Sequence, residues 1–153
     1  MRGKWFRNLG YVMIAALGAS FAKVITKQFI GNTEIDIRSV GYLSSIASES
    51  NKLCPKRVDE YSELLNVAAL PGVLVNNYRI LNIDLSGVVG KDADIVKAIA
   101  TSRSQKKTVP KVCSTPDIRE GFVKKGVILR YVLYDKNRVY IGQFDVTPAV
   151  CGF

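Results

Sequence analysis

Residues 127–146, VILRYVLYDKNRVYIGQFDV, decide the fold. Two runs rich in β-branched and aromatic residues, 127–134 and 139–146, flank the polar joint Asp135-Lys136-Asn137-Arg138. Alternation places Val127, Leu129, Tyr131 and Leu133 on one face of the first run, and Tyr140, Phe144 and Val146 on a face of the second. Such a pair joined by a four-residue polar loop predicts an antiparallel hairpin. Tyr131, Tyr134 and Tyr140 fit aromatic cross-strand pairs within it. An exposed tyrosine beside Arg130 and Arg138 would also suit a binding face.

Upstream of the hairpin, Ser114-Thr115-Pro116-Asp117 reads as a helix start. Thr115 is suited to the cap, Pro116 to the first turn, and Asp117 and Glu120 to the positive end of the dipole. Lys124-Lys125-Gly126 ends that short helix. Residues 73–88, VLVNNYRILNIDLSGV, read as a half-exposed strand. Before them, residues 58–70 admit two readings: Tyr61, Leu64 and Leu65 at helical spacing, or Leu65, Val67 and Ala69 alternating as in a strand. The turn Pro71-Gly72 favours a second hairpin.

Two further helices are expected. Ile37, Val40, Leu43, Ile46 and Ala47 recur at helical spacing over residues 37–51, with Asp36 as N-cap. Gly90-Lys91-Asp92 opens the other, with Ile95, Val96 and Ile99 on one face, running out near Ser104. A basic loop then carries Arg103, Lys106, Lys107 and Lys111. The expected class is α+β: a small antiparallel sheet packed on helices in one domain, residues 37–153. A sheet curled round the first helix, as in cystatin-like rolls, is the fold-level analogy.

The chain begins with Arg2, Lys4 and Arg7, followed by the apolar run LGYVMIAALGASFA at residues 9–22 and then Lys23. Small residues, Ser20 and Ala22, stand where a signal peptidase reads. As a helix this run spans about 21 Å, short of a hydrocarbon core of about 30 Å. A removable export signal over residues 1–22 is therefore expected, followed by a spacer at 23–36. The rival is an uncleaved inner-membrane anchor reaching to about residue 30, snorkelling Lys23 and Lys27. Either way the domain lies outside the cytoplasm, periplasmic or secreted.

The formal charge is +9. Without Arg2, Lys4 and Arg7, 19 basic residues stand against 13 acidic ones, a balance of +6. That suits solubility and an acidic partner, and no nucleic-acid-binding motif accompanies it. Histidine is absent, which excludes Ser-His-Asp and Cys-His catalysis and the usual zinc sites. No cofactor motif is present.

Three cysteines, Cys54, Cys113 and Cys151, in an oxidising compartment allow three pairings. Cys113–Cys151 is favoured, because a helix-strand-turn-strand unit returns its end near its beginning. Cys54 is left as a small buried hydrophobe, an intermolecular partner or a thiol activated by nearby Lys52, Lys56 and Arg57. Asp59, Glu60 and Glu63 cluster, and on a helix Asp59 and Glu63 would share a face as a carboxylate pair. Trp5, in the leader, is the lone tryptophan, so the domain has none to stack on a sugar ring.

The run CSTPDIREGFVKKGVILRYVLYDKNRVYIGQFDVTPAVC, residues 113–151, resembles the C-terminal half of small exported bacterial proteins: cysteine, short helix, Gly-hydrophobic-Tyr strands, polar turn, closing cysteine. NKLCPKRVDEYSELLNVAALPG, residues 51–72, is similar to their first half, with Cys54 an addition to the pattern. The resemblance implies export and the Cys113–Cys151 pairing, and carries no activity, cofactor or site residue. The functional expectation is a non-enzymatic envelope protein that binds another protein, as an accessory subunit or inhibitor-like module. Arg103, Lys106, Lys107, Lys111, Arg130 and Arg138 are its candidate partner-binding residues. A carboxylate hydrolase and a carrier of a small apolar ligand are the alternatives.

Overall fold

A computed structural model of the chain describes residues 36–153. The export signal, the anchor alternative and all but the last residue of the spacer lie outside the described residues. In chain order the elements are α1 (Val40–Asn51), β1 (Lys56–Arg57), β2 (Ser62–Leu70), β3 (Val73–Ile80), α2 (Gly90–Ser114), α3 (Pro116–Ile118) running into a π-turn (Arg119–Val123), β4 (Ile128–Tyr134), β5 (Tyr140–Val146) and a closing 3₁₀ turn (Ala149–Cys151). The class is α+β, as expected.

The five strands form one sheet in sequential order. Residues 58–70 resolve their ambiguity as a strand, and the hairpin to β3 turns on Pro71-Gly72, where Gly72 holds φ 71°. That value is what the third position of a type II turn requires, and only glycine reaches it without strain. The fully antiparallel sheet expected from sequence is corrected at one ladder. β3 and β4 run parallel, Leu74 opposite Leu129 and Tyr78 opposite Leu133. The intervening α2 is the reason: a helical crossover returns the chain to the same end of the sheet.

Both long helices cover one face of this sheet, α1 packing on β2 and α2 on β5. Leu43, Ile46 and Ala47 of α1 meet Leu64, Val67, Leu74 and Leu129 in a core completed by Phe122, Val123, Val127 and Val146. The N-cap of α1 is Ser39, whose Oγ accepts from the Tyr42 N–H at 3.3 Å. Asp36, the expected cap, accepts instead from the Arg38 N–H one turn earlier. Thr115 likewise does not cap α3; its hydroxyl donates back to the Lys111 carbonyl at 2.7 Å and closes α2.

α2 departs most from its sequence reading. It runs 25 residues, straight through the expected basic loop and past Pro110. Pro110 sits on the exposed side, and the carbonyl it leaves without a helical donor belongs to Lys106, an exposed residue. The buried face is also the opposite of the one expected. Ala93, Ala100 and Val112 point inward, while Ile95, Val96 and Ile99 are 56%, 36% and 47% exposed. α2 approaches β5 so closely at Gly142 that a Cβ there would lie 2.3 Å from Thr101 Oγ1. A helix seated that tightly presents its small residues to the sheet and turns the bulky ones out.

Candidate partner-binding groove

Between α2 and the 58–62 turn the covered sheet face remains partly open. Its floor is an aromatic row running across β3, β4 and β5: Phe144 stands opposite Tyr131, and Tyr78 lies on the same face two residues beyond Asn76, the β3 partner of Tyr131. Tyr131 stacks on Phe144 with ring centroids 5.1 Å apart and planes 8° apart, and on Tyr78 at 5.9 Å. Such offset stacks hold the rings rigid. Burial pushes both phenols well above the ordinary tyrosine range, so they stay neutral hydroxyls.

One wall is α2, which turns Ser104, Lys107, Thr108, Lys111 and Val112 toward the floor; the other is the 58–62 turn, with Ile118 at the end. The enclosed volume is about 200 Å³. A smaller pocket of about 50 Å³ adjoins it under α1 and shares Asn76, Ile118 and Tyr131 with it. Asn76 Nδ2 donates to the Arg130 carbonyl, fixing the amide in the floor.

Lys107 Nζ spans the mouth to Asp59 Oδ2 at 2.6 Å. Burial opposes the charge on Asp59, but the hydrogen bonds from Lys107, the Tyr61 N–H and Ser62, together with the Lys107 charge, outweigh it and lower the carboxyl's pKa. The carboxylate pair considered from sequence does not form. Asp59 is held at the groove mouth, while Glu63, on a strand rather than a helix, pairs with Arg79 on the other face of the sheet. A lowered pKa on Asp59 is the reverse of a carboxyl held protonated for acid catalysis.

The six basic candidates fall in separate places. Lys107 and Lys111 line the groove. Arg103 and Lys106 lie exposed on the outer side of α2. Arg130 forms a two-point pair with Asp145, at 2.8 and 2.9 Å, on the uncovered face of the sheet. Arg138 occupies the β4–β5 turn with φ 66°. The floor as a unit is not visible from sequence: Tyr131 reads there as a cross-strand aromatic or a binding-face tyrosine beside Arg130, and Phe144 only as a strand-face residue. The signal available was the count of large side chains opposite a helix whose inward face is mostly small.

The cysteines stand as favoured. Cys113 and Cys151 are bonded, with Cα atoms 5.2 Å apart, tying the end of α2 to the closing turn. Phe153 then lies under the Arg119 guanidinium, 4.1 Å from ring centroid to Cζ. Cys54 is free and partly buried, and burial raises its pKa against the pull of Lys56. That is the reverse of an activated thiol. Among the described residues no cluster of His, Cys, Asp or Glu could hold a metal, and no helix is long and apolar enough to cross a membrane.

No protein-family model and no curated protein matches the chain. Solved structures do. A protein of Pseudomonas aeruginosa described as secreted matches with TM-score 0.58 at 17% identity, over 79% of this chain and 99% of its own. The type 2 secretion system pilotin EpsS of Vibrio vulnificus matches with TM-score 0.54 at 14% identity, over 74% and 92%. The type II secretion system pilotin AspS of Vibrio cholerae matches with TM-score 0.50 at 13% identity, over 73% and 91%. At these identities the chain shares their fold, over nearly the whole of each.

Proposed function

We propose that this chain is an exported, non-enzymatic envelope protein that binds a segment of another protein in the groove between α2 and the 58–62 turn, as an accessory subunit of an envelope assembly. The observation that carries the reading is the groove itself: a stacked, largely buried aromatic floor beside the packed core, with cations on its α2 wall. An apolar segment with acidic residues at its flank matches both parts, burying its apolar side on Tyr78, Tyr131 and Phe144 and meeting Lys107 and Lys111 at the rim. The fold it shares with a protein described as secreted and with two secretion-system pilotins favours the envelope as its place of work. A small-ligand carrier has less support, because about 200 Å³ open at one side is below the ~300 Å³ usual for ligand sites.

The test is a photocrosslinking residue at Thr108 in living cells, with Gln143 on the sheet's edge strand as the control position. A protein captured from position 108 alone, whose crosslinked stretch is apolar with acidic flanks, is the expected result. A synthetic copy of that stretch should bind the chain and lose at least tenfold affinity against Ser104→Trp, which fills the groove. Equal capture at both positions, or indifference to the groove-filling variant, overturns the reading.

A further inference from the structure

The outward face of α2 exposes several large apolar side chains with no partner element among the described residues. Asp92, Ile95, Ile99, Arg103 and Lys106 follow one another at steps of three and four residues, so they form a single ridge along the helix. Ile95 and Ile99 are about half exposed, Val96 flanks them, and Val89 at the helix start is 78% exposed. A soluble helix ordinarily carries polar residues on this side. Here the ridge is acidic at its N-terminal end, apolar in the middle and basic at its C-terminal end.

That order is self-complementary under a two-fold axis. We propose that the α2 ridge is an isologous dimer interface, with α2 packed antiparallel on the α2 of a second copy of this chain. With the axis beside Lys97 and Ala98, Val96 lies level with Ile99 of the second copy, and Ile95 interdigitates between them. Asp92 then lies level with Arg103, twice over, once on each side of the axis. Lys106 comes level with Val89, and its aliphatic stem covers that exposed side chain. A parallel arrangement sets Asp92 against Asp92 and Arg103 against Arg103, and like charges exclude it. The ridge from Val89 to Lys106 is about 26 Å long. One helix pair of that length buries an area at the low end of specific interfaces, so the dimer is of the weak, concentration-dependent kind. The ridge faces away from the groove, and this inference stands without the proposed function.

Sedimentation velocity on the full chain, from low to high micromolar concentration, tests it. A concentration-dependent dimer is expected. Asp92→Lys and Arg103→Glu should each weaken it at least tenfold, and the two together should restore it to within about threefold, because the swap rebuilds both cross-pairs. Ile99→Glu should leave a monomer with unchanged circular dichroism. A wild-type chain that stays monomeric throughout overturns the inference and leaves the ridge to a different protein. So does a dimer indifferent to all of these variants, or single variants that weaken it without rescue by the double.

Discussion

The side-chain amide of Asn51 hydrogen-bonds both backbone groups of Val67: its Oδ1 accepts from the N–H at 2.7 Å and its Nδ2 donates to the carbonyl at 2.8 Å. The last residue of α1 thereby stands in for one residue of a neighbouring strand. β1 pairs with β2 only at Lys56 and Arg57, opposite Leu64 and Glu63, and leaves the rest of that edge uncovered. Asn51 closes it three residues further on, and also pins the C-terminus of α1 to the sheet that α1 covers.

Asn51→Ala should therefore cost about 2 kcal/mol, the penalty for leaving a part-buried donor and acceptor unpaired. Asn51→Asp should be no better, because it sets a carboxylate oxygen against the Val67 carbonyl. Urea unfolding with an unchanged slope checks both. A loss below about 0.5 kcal/mol for either would mean water replaces the amide without penalty.

The extent to which sequence reveals this molecule follows from which forces are local. The hairpin of β4 and β5 and the Pro71-Gly72 turn are legible, because alternation and turn chemistry are encoded within a few residues. The orientation of α2 is not. Its sequence carries two stripes, Ala93-Ala100 and Ile95-Ile99, and hydrophobicity picks the wrong one. The deciding fact, Gly142 under Thr101, lies forty-one positions downstream in another element. Nor is the groove legible, since Tyr78 and Tyr131 become neighbours only through the parallel ladder that α2 creates. The Cys113–Cys151 bond is readable from topology, but the scatter of the basic candidates over four separate places is not.

Asp135 is wholly buried, and its carboxylate accepts from the N–H groups of Leu85, Asn137 and Val139 at 2.8–2.9 Å. It holds the β4–β5 turn closed and anchors the 81–88 loop to it at once. Asp135→Ala orphans all of those donors in a site water does not reach, and should cost about 3 kcal/mol or more. Asp135→Asn keeps acceptor geometry on one oxygen only and should fall between. Thermal unfolding of the two variants checks the order, and an alanine variant as stable as the asparagine one would contradict it.

Two surface carboxylates give a pH dependence with a defined sign. Hydrogen bonds from Lys136 and from the Ser86 N–H and hydroxyl hold Asp84 down to about 2, and Asp59 is lowered as well. Both carboxyls ionise more readily folded than unfolded. The stability they add is therefore present above the ordinary carboxyl value of 3.8 and lost as pH falls through the depressed folded values. The Asp59–Lys107 pair is part exposed, so its share is below about 1 kcal/mol. Carboxyl NMR titration should place Asp84 near 2, and Lys136→Met should move it toward 3.8. An Asp84 midpoint at the ordinary value in the unaltered chain would contradict the assignment.

The Cys113–Cys151 bond closes a loop with a sequence separation of 38 residues. In the chain-entropy model, opening it costs about 4 kcal/mol through the unfolded state alone. The paired Cys113→Ser, Cys151→Ser variant should lose that amount, together with the ring contacts of Phe153 to Arg119 and Lys124. Because the bond fixes the end of the groove wall at Val112, hydrogen exchange should rise first over residues 108–115. Uniform loss of protection across α2 would instead place the wall's support elsewhere along the helix.

Gly142 offers the sharpest check on how α2 is seated. Adding a methyl there puts it 2.3 Å from Thr101 Oγ1, whose hydroxyl is already committed to the Lys97 carbonyl at 2.8 Å. Threonine is branched at Cβ and cannot swing away without a less favourable rotamer, so the helix itself must give. Gly142→Ala should cost about 1–3 kcal/mol, the usual range for overpacking. Thr101→Ala alone removes only a half-buried methyl and hydroxyl, and should cost less than about 1 kcal/mol. In the double variant most of the Gly142→Ala penalty should vanish, giving a coupling energy of about 1 kcal/mol or more in a double-mutant cycle. Additive losses would show that the methyl is accommodated by the sheet and not by α2. Because α2 is also the basic wall of the groove, the same single variant should change the affinity of a groove-bound peptide without substituting any groove-lining residue.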